Sequence, residues 1–177
     1  MQTCKLSVRE LCFIGLFAGV IAICAQLSIP MPGGVPMTLQ TWGISLAGMV
    51  LGAKKGAIAT VVYVMLGAVG IPVFSNFTGG MGVIFGPTGG FILTFPIMAW
   101  LAGIGEGKGS TVWLVFGLIA GTVINFIVGM LYFGFVASSN LHAAFIAAVL
   151  PFIPSAVIRI VVLPIVGKGI RSRLSQS

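Results

Sequence analysis

Six apolar stretches, separated by short segments of glycine, proline or lysine, constrain the fold of this chain more than any other feature. They run from about Leu11 to Ile29, Thr41 to Gly52, Gly56 to Gly70, Phe91 to Gly103, Thr111 to Val136 and Ala143 to Val166. With 58% hydrophobic and 6% charged residues, the chain has more apolar surface than the exterior of a soluble domain can carry. The pattern therefore predicts an all-α, multi-pass membrane protein. A membrane-spanning helix takes about 20 residues, so the second, third and fourth stretches are either completed by loop residues or are not full spans.

The basic residues predict how these spans are oriented. If the N-terminus is cytoplasmic, the loops Pro30–Gln40, Ile71–Gly90 and Ala137–His142 lie outside, and they contain no lysine or arginine. Eight of the nine basic residues then lie on the cytoplasmic side, as is typical of membrane proteins: Lys5, Arg9, Lys54, Lys55, Lys108, Lys168, Arg171 and Arg173. We therefore expect a bundle of six transmembrane helices with both termini in the cytoplasm.

Length and charge narrow the classes further. The 177 residues allow one integral membrane domain over residues 1–177, and the bacterial cell membrane is its expected location. No small-residue cleavage site follows the first stretch, which is thus expected to be a retained helix rather than a signal peptide. The net charge of +7 is explained by cytoplasmic loops next to the lipid bilayer, and nucleic acid is not an expected partner.

The ninth basic residue, Arg159, lies midway along the last stretch. A charge at that depth is costly and usually faces the bundle interior or a watery cavity. The chain has no aspartate, and its two acids, Glu10 and Glu106, belong to the cytoplasmic side. Arg159 therefore either extends to an interface, meets backbone carbonyls, or faces an anionic ligand. A carboxylate would suit the planar guanidinium, which can bind both of its oxygens.

Two external loops are candidates for the rest of a binding site. In "PMPGGVPMTLQ", Gln40 offers a donor and an acceptor, whereas Thr38 or Thr41 is also a candidate helix N-cap. The second loop contains "FTGGMGVIFGPTGG", residues 77–90, whose glycines allow the backbone to approach a ligand closely. Its last residues precede a helix, and a helix N-terminus favours anionic groups. A tight turn between two spans is the alternative. Aromatic walls are expected from Trp42, Phe74, Phe77, Phe85, Phe91 and Tyr132.

Several kinds of function lack their motif in this sequence. "GEGKGS" and "VGKGI" do not match a P-loop, and no nucleophile, acid–base pair or metal-ligand spacing is present. An enzyme, a metal site and a cofactor are therefore not expected, and energy for transport would come from a partner or from the substrate gradient. The first stretch carries small residues at four-residue spacing, which permit close helix packing, either with a partner subunit or within this chain: Gly15, Ala18, Gly19 and Ala22.

Taken together, four segments resemble the BioY family of biotin-specific substrate-binding subunits (S-components) of energy-coupling factor (ECF) transporters. They are "VPMTLQT" (35–41), "LGAKKGA" (51–57), "GIPVF" (70–74) and "FGPTGGF" (85–91), and "GMLYF" (129–133) is similar to a further family segment. The resemblance implies a six-helix bundle, a biotin pocket open to the outside, and docking through the first helix. It also implies a transmembrane coupling subunit and two ATPase subunits as partners.

The resemblance and the residues together define a candidate substrate site. Its members are Thr38, Gln40, Phe74, Thr78, Gly79, Gly80, Gly86, Thr88, Gly89, Gly90, Phe91, Tyr132 and Arg159. The chain departs from the family at "PFIPSAVIR", residues 151–159, where the family pattern is Pro-Phe-x-Pro-Gly-Asp-x-x-Lys. Ala156 stands at the aspartate position and Arg159 at the lysine position. Two alternatives follow: a related small carboxylate such as lipoate, or a membrane scaffold protein that binds no small molecule.

Overall fold

The computed structural model describes residues 7–31 and 34–174, with side chains described in 7–31 and 34–166. Lys5, part of the predicted cytoplasmic N-terminus, lies outside these residues, as do the side chains of Lys168, Arg171 and Arg173. The described chain is mostly helical, with a two-stranded antiparallel hairpin, β1 (Ser28–Ile29) and β2 (Met37–Thr38). The helices are α1 (Val8–Gln26), α2 (Gln40–Leu51), α3 (Ala53–Ala68), α4 (Met81–Ile84), α5 (Gly89–Gly107), α6 (Thr111–Val136), α7 (Leu141–Ala148) and α8 (Ile153–Leu174).

Four segments of the described chain are long and apolar enough to cross a membrane: Val8–Gln26, Gly89–Gly107, Thr111–Val136 and Leu141–Val166. Helices α2 and α3, with 12 and 16 residues, are shorter than the roughly 20 residues of a full span. Large apolar side chains lie exposed along these helices, including Val112 and Phe135 at 76% and 85%. Such a surface requires an apolar solvent, so the membrane character expected from the sequence is confirmed.

The first helix begins at a capping box and ends earlier than the sequence predicted. Ser7 accepts a hydrogen bond from the backbone N–H of Glu10, whose side chain accepts one from the backbone of Ser7. Glu10 also pairs with Lys55 at 2.6 Å, which brings the start of α1 to the start of α3. The predicted end at Ile29 was wrong, because Ser28 and Ile29 pair with β2 instead of continuing the helix. A residue that precedes proline, as Ile29 does, disfavours helical backbone.

The sixth apolar stretch is also interrupted, contrary to the prediction of one helix from Ala143 to Val166. Helix α7 ends at Ala148, a single 3₁₀ turn covers Leu150–Phe152, and α8 begins at Ile153. Pro151 lies within the turn, where its missing N–H breaks the helical hydrogen-bond pattern. The turn carries Phe152 and the start of α8 toward the centre of the bundle, where both line a cavity.

Helix α5 is at the centre of the bundle and packs against α2, α3, α4 and α6. Glycines permit these close contacts: a Cβ on Gly48 of α2 would collide with the carbonyl of Ala99, and one on Gly117 of α6 with the carbonyl of Leu101. Small residues at helix contacts are typical of membrane bundles, where packing replaces the hydrophobic effect. We call the end of the bundle that carries the β1–β2 hairpin, residues 71–88 and α7 the hairpin end.

Candidate binding cavity

A cavity lies near the hairpin end between α2, α5, α6 and α8. It contains about 750 Å³ of space free of atoms, a volume that includes open solvent at its mouth. Five phenylalanines form its apolar wall: Phe74, Phe91, Phe95, Phe126 and Phe152. Its polar groups lie in two zones: an outer one at the hairpin end (Thr38, Gln40, Thr41, Ser75 and Thr88), and an inner one (Asn125, Ser155 and Arg159). An apolar cavity with a few polar groups is the usual form of a small-ligand site.

Arg159 is the charged group of the inner zone, and it is 1% exposed. It lies six residues after the start of α8, hence about 9 Å along the helix axis. Its Nη2 donates to Thr122 Oγ1 at 2.5 Å, and its Nη1 lies 4.0 Å from Met98 Sδ, a weak acceptor. Its Nε has no hydrogen-bond partner among the described residues. The guanidinium is therefore fixed in position with part of its donor capacity unused.

The hydroxyl of Thr122 determines how Arg159 is held. It donates to the carbonyl of Leu118 at 2.6 Å, so its oxygen is the acceptor for the guanidinium. Both residues are buried on α6. Arg159 thus faces the interior, and the alternative that it extends to an interface does not describe this structure.

Asn125 is a member of the cavity wall that the sequence reasoning missed. It is 2% exposed, and its Nδ2 donates to the carbonyl of Phe91 at 3.0 Å and to Thr94 Oγ1 at 2.7 Å. These bonds join α6 to α5 next to the cavity. A signal was present in the sequence, because an amide inside a 26-residue apolar helix is costly in a membrane.

At the outer zone, Gln40 belongs to a chain of hydrogen bonds. Its Nε2 donates to the hydroxyl of Tyr63 at 2.6 Å, and its Oε1 accepts from Thr38 at 3.3 Å. Tyr63 in turn donates to the carbonyl of Val73 at 3.1 Å. Neither candidate threonine is the N-cap residue of α2; that is Leu39, which has no side-chain cap bond. Gln40 is therefore a buried, oriented amide of the cavity wall, with one N–H and one lone pair to offer.

Gln26, at the end of α1, was also missed. Its Nε2 lies 3.3 Å and 3.0 Å from the carbonyls of Val73 and Phe74, and its Oε1 accepts from the backbone N–H of Phe77 at 2.9 Å. Nearby, Ser28 donates to Asn76 Oδ1 at 2.8 Å. Because Phe74 contributes to the cavity wall, Gln26 positions one side of the site.

Six of the thirteen predicted substrate-site residues lie on the cavity wall: Thr38, Gln40, Phe74, Thr88, Phe91 and Arg159. The others surround that wall without forming it: Thr78, Gly79, Gly80, Gly86, Gly89, Gly90 and Tyr132. Three of the aromatic residues predicted to line the site lie elsewhere. Phe77 and Phe85 are exposed at 73% and 67%, and Trp42 packs against a separate apolar cluster inside the bundle.

Close packing explains several of the loop glycines. Helix α5 begins at Gly89, two residues before the predicted start at Phe91, and a Cβ on Gly90 would overlap the side chain of Tyr132. The hydroxyl of Tyr132 donates to the carbonyl of Ile84 at 3.2 Å. Gly80 has φ +96°, a conformation that other residues rarely adopt. These residues thus hold the hairpin end together around the cavity.

The family model described as the BioY family matches residues 1–176. This chain belongs to the BioY family. The relatives that match this chain are transporters. This BioY chain is accordingly a multi-pass membrane protein and not an enzyme. Among the described residues there is also no cluster of three or more potential metal ligands.

Individual relatives cover nearly the whole chain. The probable biotin transporter BioY of Pyrococcus horikoshii is 38% identical over 154 residues, 87% of this chain and 91% of that protein. The biotin transporter BioY2 of Lactococcus lactis subsp. cremoris is 35% identical over 179 residues, 100% of this chain and 97% of that protein. A crystal structure of the S-component for biotin from an ECF-type ABC transporter gives a TM-score of 0.84 at 26% identity, covering 97% of this chain and 95% of that chain.

The four small residues of α1 divide between two faces of this BioY chain. Gly15 and Gly19 are exposed, and a Cβ on either would meet nothing within 4 Å. Ala18 is 3% exposed and Ala22 packs partly against the main core. The two alanines therefore serve packing within this chain, and the two glycines leave an open strip on the outer face of α1.

Proposed function

We propose that this chain is the biotin-binding S-component of an ECF-type importer. The observation that carries the proposal is the inner zone of the cavity. There a BioY-family bundle buries Arg159 near an aromatic wall, with Nη hydrogens beyond its contacts with Thr122 and Met98. A ligand with a polar group and an apolar body fits such a cavity, because its polar group can accept from the guanidinium while its body packs against the phenylalanines. The remaining predicted residues, including Thr78, Tyr132 and the loop glycines, are proposed to shape the hairpin end around that ligand.

Biotin is proposed to enter from outside the cell, through the hairpin end. The connecting segments of that end contain no lysine or arginine, whereas Arg9, Lys54, Lys55 and Lys108 lie at the opposite helix ends. By the positive-inside rule, the opposite end is cytoplasmic. In this arrangement α1, α2, α3, α5, α6 and the α7–α8 pair are the six membrane-spanning units, and both termini are cytoplasmic.

Energy for import is proposed to come from partner subunits, because the chain contains no P-loop. The partners are a transmembrane coupling subunit and two ATPases. The exposed strip at Gly15 and Gly19 is the proposed contact with the coupling subunit, because helices without side-chain bulk at their contact can approach closely. The bilayer surrounds the remaining apolar surface.

Calorimetric titration of the detergent-purified protein tests the proposal. The titrants are biotin and, separately, lipoate, and the expected result is saturable 1:1 binding of biotin. The control is Thr60→Val, which removes a buried hydroxyl that lies away from the cavity. Among the described residues, the only hydrogen bond of this hydroxyl is to the Gly56 carbonyl of its own helix. Binding of lipoate in place of biotin would mean that the scaffold serves a different small carboxylate. Binding of neither would favour a membrane scaffold protein.

A further inference from the structure

The inner zone of the cavity pairs an acceptor with a donor, and this pairing specifies which part of a ligand it can receive. Resting on the proposed function, we infer that Asn125 is a ligand-binding residue that accepts a ring N–H. In this arrangement Arg159 donates to the adjacent ring carbonyl. The ligand thus presents its –NH–C(=O)– edge, the edge of a cyclic urea, to the interior of the bundle. A carboxylate is not the group that meets Arg159.

The hydrogen bonds of Thr94 determine the orientation of the Asn125 amide. The single O–H hydrogen of Thr94 is shared between the carbonyls of Gly90 and Phe91, at 3.1 Å and 3.0 Å, so its oxygen is left to accept from Asn125. The second contact of Asn125 is the carbonyl of Phe91, which is also only an acceptor. Both contacts require Nδ2, so the amide cannot be flipped without losing two hydrogen bonds.

The carbonyl oxygen of Asn125 is therefore the group left for a ligand. Among the described residues, no donor reaches Oδ1. Oδ1 is nevertheless not a fully buried atom. Asn125 lines the cavity, so the accessible side of its amide is Oδ1. A site built in this way offers an acceptor at a place where no acid is present.

Asn125 and Arg159 act on neighbouring atoms of the ligand. Arg159 is held by Thr122, which is three residues from Asn125 on α6, and side chains at that spacing have Cβ atoms about 5–6 Å apart. Nη1 and Nη2 of Arg159 each carry a second hydrogen beyond the contacts with Met98 and Thr122, and Arg159 lines the cavity. They are the donors of the pair, and Oδ1 of Asn125 is the acceptor. A cyclic urea has a donor N–H directly beside an acceptor carbonyl, which matches this pair. A carboxylate has two acceptor oxygens, one of which would face Oδ1 without a hydrogen between them.

Three ligands separate the two orientations. Biotin has both the ring N–H and the carboxylate, biotin amide keeps only the ring N–H, and lipoate keeps only the carboxylate. We expect biotin amide to bind the wild-type protein within about tenfold of biotin, and lipoate to bind at least about a hundredfold more weakly. Binding of lipoate as tight as that of biotin, together with loss of biotin amide binding, would overturn the inference and leave the proposed binding of biotin intact.

The variant Asn125→Leu tests the residue itself. It should weaken biotin and biotin amide by a similar factor of about ten to a hundred, since an N–H then meets no acceptor, and leave the weak lipoate binding unchanged. A purely structural role at the α5–α6 contact would weaken all ligands equally, and that result would overturn the inference. Thr60→Val is again the matched loss of a buried polar group.

A second variant decides the matter if Asn125→Leu does not fold. Ala156 lines the cavity three residues before Arg159 on α8, so Ala156→Asp adds a second acceptor to the inner zone. With a ring N–H in this place, biotin binding is kept or strengthened; with a carboxylate there, like-charge repulsion would reduce it by at least about tenfold. Ala156→Asn controls for size. If the wild-type protein binds neither biotin nor lipoate, the proposed function itself fails.

Discussion

Replacing Arg159 with methionine should remove ligand binding without destabilising the empty protein. The variant loses one hydrogen bond from a charged donor, to Thr122, which contributes about 1.5–3 kcal/mol, and a weak contact with Met98 Sδ. It also loses the desolvation cost of a buried cation, which is several kcal/mol and which no acid among the cavity-lining residues offsets. Thr122 keeps its bond to the Leu118 carbonyl, so no new buried donor is orphaned. The two effects are of similar size, and we expect the melting temperature of the ligand-free variant to equal or exceed that of the wild-type protein.

The assay is thermal unfolding in detergent, with and without biotin. At a ligand concentration of 100 times Kd, binding stabilises the native state by about 2.7 kcal/mol. For a chain of this length that is a rise of roughly 5–10 °C in Tm. We expect the wild-type protein to show this rise and Arg159→Met to show none. Arg159→Lys, which keeps the charge but not the planar fork, should give an intermediate rise.

The matched control is Arg9→Met, the same substitution at the opposite end of the bundle. Arg9 lies exposed over the ring of Phe13 at 5.8 Å, and its loss should leave the biotin-induced rise unchanged. Two results would refute the reasoning. A full rise in Arg159→Met would mean that the guanidinium does not contact the ligand. A ligand-free Tm far below that of the wild-type protein would mean that Arg159 is chiefly structural.

Three further substitutions have expected outcomes. Gly90→Ala should destabilise the fold by about 1–3 kcal/mol because its Cβ would overlap Tyr132. The control Gly82→Ala, whose Cβ would meet nothing within 4 Å, should change Tm little. Equal changes in Tm for the two variants would contradict this packing argument. Gln26→Leu should speed the release of labelled biotin several-fold, since the segment 73–77 loses its three hydrogen bonds with Gln26. An unchanged release rate would show that the segment holds its position without them. Gly19→Leu should leave Tm and biotin affinity unchanged but prevent co-purification with the coupling subunit; retained co-purification would place the contact elsewhere.

Elements that depend on local composition were predictable from the sequence. The fifth apolar stretch, Thr111–Val136, has the same bounds as α6, because a lipid-facing helix satisfies its own backbone hydrogen bonds and its hydropathy requires no information about neighbours. The depth of Arg159 in the sequence made a lipid-facing charge costly but left an extension to the interface open, and the structure decided for the interior. Family membership, too, was readable from the short motifs of the loops and is confirmed.

Contacts between distant segments were not predictable in this way. Thr88 and Gly90 are neighbours in one motif, yet Thr88 lines the cavity and Gly90 packs against Tyr132. Likewise, the sequence showed an amide at Asn125 but not its partner Thr94, 31 residues away, which orients it. Local composition determined that this chain is a bundle of membrane helices with one cation inside. Tertiary packing decided which residues surround that cation, because the face that a helix presents to its neighbour depends on where the neighbour lies.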